Sequence, residues 1–155
     1  MASNFKKLNR HLDEMEEYIP FIKTRDENIS KVDIGWHLDH SLKVINGVFT
    51  TLRESNPEKY RPKFSFSRVL VFTFGRFPRG KAKAPEAVLP GKNIDQKELI
   101  AQLQKARENF STFESLHSNN YFRHPYFHHL NKKGAKRLME VHTRHHLKII
   151  RDILK

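Results

Sequence analysis

The sequence predicts an all-α fold, a four-helix bundle with a long crossover between the second and third helices, on three observations. Four segments space their apolar residues by three and four, as helix faces require. The stretch between the second and third is crowded with proline and glycine. No run of alternating apolar residues around turn signals marks a persuasive hairpin.

The first helix is expected after a Ser3-Asn4 cap, because Phe5, Leu8, Leu12, Met15 and Ile19 share one face; Pro20 should end it. The second should begin near Ser30, with Asp33 three residues on in the manner of a capping box, and run to about Ser55, before Pro57. Its stripe is Ile34, Leu38, Ser41, Ile45, Val48 and Leu52. Five of the seven prolines and three of the six glycines fall between Pro57 and Lys92, so this stretch reads as a connection able to cross over a bundle. Within it, SRVLVFTFGRF is compatible with a short helix or a strand, and its phenylalanines are expected to plug the end of the bundle. The third long helix follows Asn93 on Leu99, Leu103, Ala106, Phe110 and Phe113, ending before Ser118-Asn119-Asn120. YFRHPYFHHLNKKG reads as an aromatic-rich loop, since Pro125 disfavours helix at His124 and Gly134 breaks any regular pattern. The last helix is AKRLMEVHTRHHLKIIRDILK. At 155 residues the chain fits one domain, 1–155.

Composition narrows the chemistry. There is no cysteine, which excludes disulfides, thiolate metal sites and a cysteine nucleophile, so any metal must be held by nitrogen and oxygen. No apolar run approaches a membrane span and no export signal is visible, so a soluble cytoplasmic protein is expected. With 29 basic against 17 acidic residues, the formal charge of +12 favours anionic partners. Five of the ten histidines lie between His124 and His145, and His146 follows at once, which invites a metal reading.

On the last helix Leu138, Met139, Ile149, Ile150 and Ile153 fix the core stripe, and at about 100° per residue His142 and His146 fall in its centre. Side chains four apart project from the same side with Cβ atoms about 6 Å apart, close enough for two imidazoles to share one ion. His145 lies nearer the edge. A third ligand should come from a facing helix, and His37, on the flank of the second helix's stripe, is the choice, with His40 rotated further out. The bland alternative is that each histidine is satisfied by a hydrogen bond. Two rings side by side in an apolar stripe weigh against it, because both need partners there.

GWHLDHSL on one helix and HPYFHHLNKKGAKRLMEVHTRHHLKII at the end resemble the DinB-like superfamily of metal-binding four-helix bundles. The resemblance implies one histidine from the second helix and two, four apart, from the last, here His37, His142 and His146. It spans nearly the whole chain, with departures. Relatives often have glutamine soon after the last histidines, where this chain has Leu147, Lys148, Ile149 and Ile150. The glycine frequent after a His-Pro-aromatic-aromatic run is His128 here. His124 and His128 either line the open face of the metal or are solvated loop residues.

A three-histidine site suits a divalent ion, with zinc or nickel preferred and iron or copper also suited. The resemblance implies a thiol S-transferase or metal-dependent hydrolase acting on a small substrate, and the basic charge of the chain would steer an anionic one toward the metal. Asp39, His40, Glu140 and His145 are the candidates for a general acid or base, and Asp39 and Glu140 also for orienting a ligand imidazole. The rival class is a non-catalytic stress-related or nucleic-acid-binding protein. From Lys59 to Lys83 there are eight basic residues and no acidic one, interleaved with aromatics, a combination suited to single-stranded nucleic acid. Trp36, on the side of the second helix away from its stripe, should cover the crossover or meet a second chain in a homodimer.

Overall fold

Phe5, Leu8, Leu12 and Met15 form one buried face, and they carry α1, Lys6–Glu17. The structure, a computed structural model, describes residues 5–80 and 83–155, so the expected Ser3-Asn4 cap lies outside the described residues. α1 closes at Glu17, and Ile19–Phe21 make a further 3-10 turn whose first positions tolerate Pro20 because no N–H is needed there.

α2, Ile34–Glu54, starts later than expected: its cap is Asp33, which accepts from the Trp36 N–H at 2.8 Å. Ser30 takes no part in that cap and turns its hydroxyl toward His37, at 2.9 Å. α2 is buried around most of its circumference, packing on both α4, Gln96–Thr112, and α5, Lys132–Ile153. Against α4 it presents a polar seam. Asn109 donates to Asn46 Oδ1 at 2.9 Å, Asn46 donates to the Gln102 carbonyl at 3.1 Å, and Gln102 donates to Asp39 at 2.8 Å. Lys43 completes the seam with an ion pair to Asp39 at 2.7 Å.

The ambiguous apolar run in the crossover is helical, α3, Phe66–Phe74, capped by Ser65 and ended by Gly75 at φ 63°, a conformation open to glycine. Arg137 donates to the Phe72 carbonyl at 2.7 Å and Arg144 donates to that of Gly75, so α5 supplies partners to the otherwise orphaned end of α3. Only some of the phenylalanines in and around α3 plug the core. Phe72 and Phe77 pack inward, whereas Phe66 and Phe74 are exposed, at 67% and 65%, as is Phe64 at 76%. α4 begins behind Asp95, two residues beyond Asn93.

The segment read as a loop is instead a hairpin, β1, Tyr121–His124, paired antiparallel with β2, His128–Asn131. Its two strands are short and mostly half-exposed, with Leu130 their one buried side chain, so no alternation was there to read. The turn is closed by a histidine: His124 Nδ1 accepts from the Tyr126 and Phe127 N–H groups at 3.1 Å each, and His128 takes φ 61°. α5 follows at once, starting at Lys132 rather than at Ala135, with Asn131 as cap accepting from the Gly134 N–H at 3.0 Å. Gly134 therefore lies in the first turn and interrupts nothing.

α1 packs on α4 and α5, α2 packs on the same two, and one apolar core joins them. The fold is thus mainly helical with a two-stranded sheet. Among the described residues no helix is long and apolar enough to cross a membrane.

Candidate metal centre

Four histidines converge where α2 meets α5. His37 and His40 are each 4% exposed and His146 8%, while His142 is half-buried. One ring nitrogen from each of His40, His142 and His146 lies within 4.8 Å of the other two. His40 Nε2 and His142 Nε2 face each other at 3.2 Å.

His40 Nδ1 is 2.8 Å from the carbonyl oxygen of Val88 in the crossover. A carbonyl only accepts, so Nδ1 carries the hydrogen and Nε2 of the neutral ring is a lone pair aimed at His142. His142 Nδ1 is buried without a hydrogen-bond partner among the described residues. His37 stands behind His146, Nδ1 to Nδ1 at 2.9 Å, with its Nε2 2.9 Å from Ser30 Oγ.

Aromatic rings wall the cluster. Trp36 stacks on His40 with centroids 4.9 Å apart and meets His37 edge-on at 5.4 Å. That is where the indole goes. Phe77 meets the edges of His142 and His145 at 5.9 and 6.0 Å, and Phe127 stacks on Phe77 at 6.0 Å, linking the wall to the hairpin. His142 and His145 are the half-buried rings, so solvent reaches the cluster from their side.

All these rings are held neutral. Burial lowers the pKa of His146 and of His142 well below the ordinary imidazole value, and each is lowered further by neighbouring imidazoles. Burial brings His37 to about 4, with His40 and His145 adding to the shift, and brings His145 to about 4 with Arg79 beside it. His40 is lowered too, chiefly by burial, with the Val88 hydrogen bond opposing. Neutral imidazoles with unshared lone pairs are what a divalent ion takes, so the donor set fits such an ion.

Of the residues expected from the sequence, His142 and His146 lie together in the cluster, and His37 is one ring away, touching His146. His40 completes the set of three, although helical phase turns it away from the apolar stripe of α2. Asp39 faces the α4 seam, and Glu140 is 3.6 Å from Lys136 and from Arg137. Their carboxylates are thus spoken for by groups other than the imidazoles. His124 serves the hairpin turn, stacked on Phe127 at 4.2 Å, and His128 is an exposed corner.

The sequence profile of a family described as "Protein of unknown function (DUF1569)" matches residues 69–152, from α3 to the end of α5. This span holds His142 and His146 and leaves α2, with His37 and His40, outside. No curated protein and no solved structure matches the chain.

Proposed function

Since the chain belongs to the DUF1569 family, whose description names no activity, we propose from the site itself that it binds a divalent metal through His40, His142 and His146 and acts as a metal-dependent hydrolase or thiol S-transferase on a small substrate. The observation that carries this is the approach of three neutral imidazoles to within 4.8 Å of one another. Zinc and nickel suit a three-nitrogen set best, with iron and copper as further candidates. The reading takes α1, α2, α4 and α5 as the bundle of the DinB-like superfamily, with α3 and the hairpin added on the crossover side.

In this reading His40, not His37, is the ligand from α2, and His37 is a positioning residue. If His146 offers Nε2, its Nδ1–H donates to His37 Nδ1, and His37 Nε2–H donates in turn to Ser30 Oγ, which fixes the tautomer of both rings. Val88 does the same for His40 through its carbonyl. A divalent ion held there would supply Lewis acidity, making a water or thiol nucleophilic at neutral pH. Trp36 and Phe77 exclude water from two sides of the cluster.

Elemental analysis of protein purified without a histidine tag tests the site. One ion per chain is expected in the wild type, with loss in His40→Ala, His142→Ala and His146→Ala; equal metal content in all four proteins defeats the proposal. His37→Ala should keep the ion with an affinity roughly 10- to 100-fold weaker. Turnover of small thiol or ester substrates that stops on chelation then separates enzyme from metal-binding scaffold.

A second reading, single-stranded nucleic acid on the Lys59 to Lys83 segment, is favoured by one observation. Phe64, Phe66 and Phe74 are exposed beside Lys63 and Arg76. Salt-sensitive oligonucleotide binding that ignores chelators and falls in Phe66→Ala and Phe74→Ala would support it.

A further inference from the structure

The second charged feature of the molecule lies between α1 and α5. Lys7, Arg10, His11 and Glu14 recur along α1 at spacings of three, one and three, which sets them on one flank. Arg137, Glu140, Arg144 and Arg151 do the same on α5. These two sets face each other across a cleft of about 270 Å³. At about 100° per residue the α5 set is turned some half-circle away from His142 and His146, so this cleft and the histidine cluster open on opposite sides of one helix.

The charges of the cleft do not balance. Five cationic side chains line it and two carboxylates answer them. Glu14 is taken by Arg151 in a two-pronged pair, with both N–O distances 2.6 Å. Glu140 sits 3.6 Å from Arg137 and from Lys136. Lys7, Arg10 and Arg144 are left without a carboxylate among the described residues, and Arg144, engaged with the Gly75 carbonyl, retains donors on its guanidinium. His11 also lines the cleft, and its Nδ1 is buried with no hydrogen-bond partner among the described residues. An interface between two packed helices that gathers like charges is costly unless a further group completes it.

We propose that this cleft is a binding site for a small polyanion of the phosphate class, such as pyrophosphate or a phosphorylated metabolite. The excess of three positive charges matches a ligand carrying two or three negative ones. Guanidinium forks grip phosphate oxygens in pairs, and Arg10 and Arg144 reach from opposite helices to do so. The volume lies just below the usual range of small-ligand pockets, about 300 to 1,000 Å³, which favours a compact anion over a nucleotide or a polymer. A ligand there would tie α1 to α5 and stabilise the chain in proportion to its concentration.

Calorimetric titration of the full chain with inorganic pyrophosphate tests the proposal. Saturable one-to-one binding is expected, weakened at least tenfold in a Lys7→Gln, Arg10→Gln double variant. A Lys97→Gln, Lys105→Gln double variant removes the same charge from the exposed side of α4 and should bind within twofold of the wild type. Equal weakening in both double variants would mean diffuse attraction to a basic surface and would overturn the site. So would unweakened binding in the first, which would assign pyrophosphate to a metal elsewhere, or no heat of binding at all.

Discussion

His128 shows what one backbone angle demands. It sits at φ 61°, where a Cβ is strained and glycine is at ease. His128→Gly should therefore raise stability by about 0.5–1 kcal/mol, read as a higher urea midpoint at unchanged slope. His142 and His146 were legible from the sequence because α5 has a sharp polar–apolar division that put both rings at the centre of its stripe. His40 was not, because α2 buries His37, Leu38, Asp39, His40 and Ser41 in succession. A helix buried around most of its circumference has no single stripe from which to measure an angle, and Val88, which covers the His40 side, lies 48 residues away in the chain.

Elements were legible to the extent that their signals were local. Apolar periodicity found all four long helices, and helix ends drifted by a few residues, as at Asp33, where one acidic residue caps directly what was read as a box beginning at Ser30. The hairpin was hidden because its turn is made by a side chain, His124, and not by an Asn-Gly type signal. Two glycines give a paired test of this local accounting. Gly134 lies in the first turn of α5 with room for a methyl group, the nearest atoms being 3.4 Å from an added Cβ. Gly134→Ala should stabilise by up to about 1 kcal/mol. Gly75 has φ 63°, and an added Cβ there would meet Arg144, so Gly75→Ala should cost roughly 1–3 kcal/mol. Thermal melts of the two variants should move in opposite directions.

At the scale of the whole molecule, buried neutral histidines make stability a function of pH. His37 titrates at about 4 when folded and near 6.5 when unfolded, so between those values the unfolded chain binds more protons. This contribution is complete above pH 6.5 and is lost as the pH falls toward 4, on the order of 3 kcal/mol for this ring. His124 moves the same way, lowered to about 4 by burial, and protonating its Nδ1 would also remove the acceptor that closes the hairpin turn. Urea unfolding of the metal-free chain at pH 7, 6 and 5 should show a falling midpoint, before the carboxylates begin to titrate. An unchanged midpoint over that interval would contradict neutral, buried rings. The charge of +12 leaves a different mark: it was legible as a total, but only the meeting of α1 with α5 concentrates part of it in one cleft.

The chain contains a single tryptophan, and its indole lies flat against His40. Light emitted from that ring reports on the imidazole beside it and on whatever that imidazole holds. Intrinsic fluorescence thus offers a label-free readout of occupancy: titrating zinc should shift or quench the emission in proportion to the filled fraction, and His40→Ala should abolish the response.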